Sequence, residues 1–219
     1  MSAPSQSPIH ISVVLDRSGS MASIADDIVG GFNEYLAEQR QVEGRVRVTL
    51  AQFDSQDPFE VLISGVDLRE VTDLDRSEYR PRGSTPLFDA IGRMIAKIDA
   101  DSAAYSEVGA PEEDQVVLIV TDGYENASRE YSRQMIFDLI ETRRSRGWVF
   151  VFLGANQDAY AEGRTMAFSQ ANSGDWAASP EGSKQMWKDL SYSTSAHRAK
   201  DKARRAMDEA EFLKRRRGN

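Results

Sequence analysis

Apolar residues fall along this chain in two alternating patterns, short β-branched runs and stripes spaced three or four residues apart. Ile9 to Leu15 has little polar interruption after Ser12, which predicts a strand covered by helices on both faces, at the centre of a sheet. Ile24, Ile28, Phe32, Tyr35 and Leu36 then recur at helical spacing as far as Glu43-Gly44, predicting a helix of roughly five turns. Arg45 to Phe53 alternates through Val46, Val48 and Leu50 as a second strand. After a polar turn at Asp54 to Pro58, Phe59 to Val66 reads as a third strand, pairing antiparallel with the second at a sheet edge.

The second half repeats strand and helix. Asp67 to Arg82 is a polar connection anchored by Leu68, Val71 and Leu74, and it leads to Gly83-Ser84-Thr85-Pro86. Pro86 suits a first helical position, and Leu87, Ile91, Ile95 and Ile98 form one stripe behind it. Ala100 to Asp114 shows no period and is expected to be a surface loop. Gln115 to Thr121 and Trp148 to Leu153 predict buried strands, separated by a helix over Ser132 to Arg146. A helix around Ala159 to Met166, a short strand within Asn172 to Ala177 and a helix from Ser179-Pro180 through Met186, Trp187 and Leu190 complete the pattern. The expected class is α/β: a doubly wound, mostly parallel sheet with one antiparallel edge strand and helices on both faces. Residues 1–8 are expected to be disordered, 9–190 to form the domain and 191–219 to form a basic C-terminal helical extension.

Composition narrows this picture. A chain of 219 residues with 40% hydrophobic content suits one α/β domain plus an extension. Without cysteine there are no disulfides, thiolate metal sites or cysteine nucleophile, which suits a reducing compartment. Met1 to Pro8 lacks the basic start and apolar centre of a signal peptide, and no apolar run reaches bilayer length, so a cytoplasmic location without membrane attachment is expected. The net charge of −8 argues against nucleic acid as a partner. Ala196 to Arg217 carries nine Lys or Arg against four Asp or Glu, a balance of +5 that leaves about −13 elsewhere. Within it Ala196, Ala199, Ala203, Ala206, Ala210 and Leu213 make a thin heptad stripe, expected to dock on the domain or extend from it, the alternative being contact with a partner or a second copy. Lys214 to Arg217 is expected to be solvated, and the chain to be a monomer.

The candidate chemistry follows the first strand, at Asp16-Arg17-Ser18-Gly19-Ser20-Met21. One carboxylate and two hydroxyls within five residues, with Gly19 letting the backbone bend, have ligand spacing for a hard cation. Taken alone, the segment also reads as a turn whose Ser and Asp bond their own backbone. Asp122-Gly123 likewise follows an apolar strand, as does Gly154 to Asp158, and ligands of open α/β sheets bind beyond such carboxyl ends. Thr85 stands at a helix mouth, where it either joins that rim or caps the helix.

Asp-x-Ser-x-Ser, a later Thr before Pro and a strand-terminal Thr-Asp-Gly together resemble the von Willebrand factor type A (vWA) domain with its metal-ion-dependent adhesion site (MIDAS), over about Ile9 to Leu190. The resemblance implies a Rossmann-like vWA fold in which Ser18, Ser20 and Thr85 offer hydroxyl oxygens to a divalent ion, Thr85 in some states through water. Asp16 and Asp122 would act through bound waters. It implies Mg2+, with Mn2+ and Ca2+ as the other candidates, and a position left open for an Asp or Glu of a partner protein. Mg2+ prefers octahedral oxygen at roughly 2.0–2.1 Å, and neutral hydroxyls leave it electrophilic. Relatives of this compact type also imply a bacterial setting beside an ATPase or assembly factor.

Asp54, Asp89, Glu125 and Asn126 are candidates to support the ligands from behind, or to be ordinary caps and surface. Arg17 is expected to be exposed, where it either steers an acidic partner or is simply solvated, and Tyr124 either anchors a partner at the rim or is ordinary surface. His10 and His197 lie in no metal or triad context. Two rival functions are a metal-dependent phosphohydrolase with Asp16 as nucleophile and a vWA scaffold that does not use its metal. The first lacks the second acid two positions on, where Ser18 stands, and no phosphate-binding glycine loop occurs.

Overall fold

The computed structural model describes residues 7–155, 158–207 and 211–213. Strand β1 (Ile9–Asp16) is buried throughout and pairs in parallel with β2 (Val46–Phe53) on one side and β4 (Asp114–Thr121) on the other. Beyond β2 lies β3 (Glu60–Asp67), antiparallel at the edge; beyond β4 lie β5 (Val149–Ala155) and β6 (Ser173–Trp176), both parallel. The sheet order is therefore β3-β2-β1-β4-β5-β6, with the hairpin edge and central first strand that the apolar patterns predict. The chain leaves β1 toward β2 and later returns to its other side as β4. That reversal opens a crevice at the carboxyl ends of β1 and β4.

Alternation along β1 divides the core. Ile9, Ile11, Val13 and Leu15 face one layer, formed by α1 (Ala25–Arg40) and α5 (Pro180–Arg198) through Ile28, Phe32, Trp187 and Leu190. Val14 faces the opposite layer, where α2 (Leu87–Glu107) and α3 (Arg133–Arg144) contribute Ile91, Ile95, Ile98, Ile136 and Ile140. The short α4 (Ala159–Thr165) packs beside β6. Among the described residues no helix is long and apolar enough to cross a membrane.

The chain departs from the sequence reading in two places. First, α2 continues to Glu107, so half of the stretch expected as loop is helix; Ala100, Ala103 and Ala104 favour helix without needing a buried stripe. Second, α5 runs past Leu190 to Arg198, and the chain turns at 199–201 before α6 (Lys202–Met207). Residues 196–207 therefore do not form one heptad helix, and Ala199, Ala203 and Ala206 are exposed. The buried contacts are polar instead: Arg198 donates to the carbonyls of Gln39, Val42 and Glu43 at the end of α1, and Arg205 to those of His197 and Arg198 at the end of α5. Each guanidinium meets carbonyls at or just past a helix C-terminus, where the partial negative charge of the helix end favours a cation. Ala210, the Lys214 to Arg217 cluster, most of the N-terminal 1–8 segment and residues 156–157 of the Gly154 loop lie outside the described residues.

The α1–α5 contact is close. A Cβ on Gly31 would stand 2.0 Å from Trp187 Cδ1, whereas one on Gly30 would meet nothing within 4 Å. Trp187 packs edge-on to Phe32, with ring centroids 5.9 Å apart. Gly31→Ala is thus expected to lower the unfolding free energy by about 1–3 kcal/mol through overpacking, and Gly30→Ala to raise it by up to about 1 kcal/mol through helix propensity. Urea titrations of both variants check the opposite signs.

Candidate metal centre

The five sequence-marked residues gather at the β1/β4 crevice. β1 delivers Asp16 fully buried, and the chain then turns through a 3-10 segment (Gly19–Ile24) into α1. Asp16 Oδ1 accepts the Ser18 N–H at 2.6 Å, and Oδ2 accepts the Thr121 hydroxyl at 2.6 Å. The Tyr79 hydroxyl donates to the Asp16 carbonyl, which fixes the backbone at the turn. Ser18 Oγ and Ser20 Oγ are 3.1 Å apart, and Ser20 donates to Asp122 Oδ1 at 2.6 Å. Asp16 and Ser18 are buried, Asp122 is half-buried and Ser20 is exposed, so the cluster opens to solvent on one side.

Thr85 enters from the other edge. Its N–H donates to Asn126 Oδ1 at 2.9 Å, and its carbonyl accepts the Asn126 N–H at 3.2 Å. A Cβ on Gly123 would stand 2.8 Å from Thr85 Oγ1, so only glycine after Asp122 lets this hydroxyl so close. Capping of α2 falls to other groups: Glu125 accepts the Phe88 N–H, and the Ser128 hydroxyl accepts the Asp89 N–H. Asp89 in turn accepts the N–H groups of Arg129, Glu130 and Tyr131. Of the four candidates for support, Asn126 holds Thr85 directly, while Glu125 and Asp89 fasten the loop that carries Asn126.

Arg17 differs from its sequence reading, and Asp54, the fourth candidate, is the reason. Arg17 is buried rather than exposed; its Nε donates to Asp54 Oδ2 at 2.8 Å and its Nη1 pairs with Glu60. The reason is local, because Asp54 follows β2 beside it and is itself fully buried. Burial pushes the Asp54 carboxyl up, but hydrogen bonds from Arg82, Asp57 and Gln56 and the charge of Arg17 outweigh it and hold it below the usual range. Tyr124 is 55% exposed on the rim. His10 is buried against Thr49, with its pKa lowered to about 4 by burial and the Arg47 charge, and His197 is buried against Phe212. Sequence reasoning missed the roles of Thr121 and Tyr79. Thr121 stood in the quoted Thr-Asp-Gly, one residue before a ligand candidate, while Tyr79 lies in a polar stretch with no period to mark it.

The donor set is all oxygen, and its charge is uncompensated. Neither Asp16 nor Asp122 has an ion-pair partner among the described residues. Burial raises the Asp16 pKa to about 7 against the bonds from Thr121 and Ser18, with the Asp122 charge adding to the rise. Burial likewise raises Asp122, opposed by the Ser20 bond. Among the described residues no three His, Cys, Asp or Glu side chains cluster, so the borderline nitrogen and sulfur sites typical of structural zinc are missing there. Adjacent ligands of an octahedron with bonds of about 2.0–2.1 Å stand about 2.9 Å apart, and the serine hydroxyls, 3.1 Å apart, match that edge. The residues present fit a hard divalent cation.

A family model of the von Willebrand factor type A domain matches residues 10–186, and the chain belongs to that family. No curated protein sequence matches it. Among solved structures it is similar to the pilus adhesin SpaC from Lactobacillus rhamnosus GG, with TM-score 0.65 and 14% identity over 86% of this chain and 31% of that one. Proximal thread matrix protein 1 from the mussel byssus, solved with a zinc-occupied MIDAS motif, gives TM-score 0.58 and 15% identity over 84% of this chain and 47% of that one. A von Willebrand factor type A protein from Catenulispora acidiphila gives 0.59 and 9% over 86% and 43%. The chain spans less than half the length of each of these structures, and at such identities the likeness is one of fold.

With Asp16 near 3.8 unfolded and about 7 folded, the metal-free folded chain holds more protons than the unfolded chain between those values. Its stability is then greatest below about pH 4 as far as this group is concerned, and is lost as pH rises toward about 7. In EDTA the melting temperature of the wild type is expected to fall with pH across that window more steeply than that of Asp16→Asn, as differential scanning calorimetry can read.

Proposed function

We propose that this chain is a non-catalytic protein-interaction domain that binds partners through a divalent ion, Mg2+ in the first instance and Mn2+ or Ca2+ as alternatives. Ser18, Ser20 and Thr85 would hold the ion with their hydroxyls, and Asp16 and Asp122 would supply the negative charge around it. The ion would supply an electrophilic coordination position that an Asp or Glu carboxylate of the partner completes. The observation that carries this reading is the convergence of two uncompensated carboxylates with serine and threonine hydroxyls on one solvent-open rim. The zinc-occupied MIDAS of the mussel protein, on the same fold, supports it.

The chain's own residues have distinct tasks in this reading. Thr121 and the Ser18 N–H orient Asp16, Ser20 orients Asp122, and Asn126 holds Thr85 at the mouth. Both Asp16 oxygens are already engaged, which suits a charge-bearing role better than nucleophilic attack, and the phosphohydrolase reading is correspondingly weaker. A partner in the manner of an ATPase or assembly factor, a cytoplasmic bacterial setting and a monomeric chain complete the proposal.

Saturation at a hundred times the dissociation constant adds about 2.7 kcal/mol of stability, a rise of about 2–4 °C per kcal/mol for a chain of this size. Mg2+ or Mn2+ is expected to raise the wild-type melting temperature accordingly and to leave Asp16→Ala unmoved. A flat wild-type response would remove the metal from the proposal. Affinity capture from the source organism should then retain a partner in Mg2+ and lose it both in EDTA and with Asp16→Ala. Retention in all three lanes would move recognition to another surface.

A further inference from the structure

We propose that Asp54 is a positioning residue for the metal centre: it touches none of the candidate ligands, yet it clamps the loop bearing Ser18 and Ser20 to the segment that delivers Thr85. The inference rests on the metal-binding reading above and extends it to residues outside the motif.

The three segments meet around one fully buried carboxylate. Asp54 Oδ2 accepts Arg17 Nε at 2.8 Å and Arg82 Nε at 2.9 Å, and Arg17 Nη2 stands at ion-pair distance, 2.6 Å, without a hydrogen bond. Its Oδ1 accepts the N–H groups of Gln56 at 2.6 Å and Asp57 at 3.0 Å, so its own loop is rigid. Arg17 lies between Asp16 and Ser18, and Arg82 lies three residues before Thr85. The hydroxyl donors thus sit on two segments whose arginines share one acceptor.

Backbone bonds fix the same register. The Arg82 N–H donates to the Arg17 carbonyl at 2.9 Å and the Gly19 N–H to the Gly83 carbonyl at 3.1 Å. The Ser55 hydroxyl accepts the Ser84 N–H at 2.9 Å. Gly83 takes φ +65°, and a Cβ there would stand 2.5 Å from that same hydroxyl, so the segment lies tight against the Asp54 loop. A buried ion pair is a poor source of net stability, because desolvation offsets most of the attraction. Its value lies in geometry, since a planar guanidinium held at two nitrogens fixes direction as well as distance. It also keeps Arg17 paired with Asp54 and Glu60, so the charge on Asp16 and Asp122 remains for a cation.

The test is Mn2+ binding to the full chain, well below the melting temperature, with water proton relaxation reporting the waters on each bound ion. Asp54→Asn keeps an acceptor for Gln56 and Asp57 but loses the charge that holds both arginines. It is expected to weaken Mn2+ binding by about 10–100-fold, the usual effect of removing a group that orients metal ligands. Relaxation per bound ion should rise, as water replaces a displaced hydroxyl. Arg82→Gln, a change at a side chain 41% exposed, leaves the Arg17 pair intact; it should cause a smaller loss in the same direction with the EDTA melting temperature nearly unchanged. Wild-type affinity in both variants, or weaker binding with unchanged relaxation per ion, would overturn the proposal. A wild-type chain that binds no Mn2+ would instead overturn the metal-binding reading itself.

Discussion

Two acids, Asp16 and Asp122, stand close enough across the β1/β4 crevice that the charge of one raises the pKa of the other. No basic side chain among the described residues neutralises either of them. Much of the surrounding structure follows from keeping that arrangement folded. The Thr121 and Ser20 hydroxyls and the Ser18 N–H each donate to one of the carboxylates, and the Tyr79 hydroxyl satisfies the buried carbonyl at the bend. The nearest arginine in sequence is drawn off to Asp54 and Glu60. What remains is negative charge ringed by oxygen, which suits a hard cation.

The strands and the ligand candidates were legible because each carries a strong local signal. A buried parallel strand is a continuous apolar run, and Asp-x-Ser-x-Ser after such a run combines several unusual choices in few residues. The end of α2 was not legible, since alanine-rich exposed helix has no periodic stripe to read. Tyr79 was hidden for a related reason: a lone aromatic in a polar connection gives no hint that it reaches the end of β1. Arg17 reads as surface, and Asp54 reads equally as support or surface, because burial of charge depends on a partner far away in sequence, which no local window contains.

The arginines correct a simple reading of charge along the chain. The excess of positive residues from Ala196 to Arg217 marks a basic extension, but Arg198 and Arg205 are turned inward as caps on α1 and α5. Arg205 also bonds Asp114 at the start of β4 and the Ser7 carbonyl, so the chain after α5 is fastened to the sheet by hydrogen bonds as well as by the buried Phe212. Formal charge counts therefore overstate how much of that segment a partner could meet.

The parallel register of β1 has a last consequence. Leu15 aligns with Val120 and Asp16 with Phe53, so the distance from the strand's first residue to the cluster is set by counting residues. With pairing before it kept, one inserted residue in β1 would exchange the faces of every residue that follows it and advance Asp16 by about 3.3 Å. The strand acts as a ruler whose smallest division is longer than any bond the cluster makes. The chemistry at its end tolerates changes of side chain within the strand far better than any change in its length.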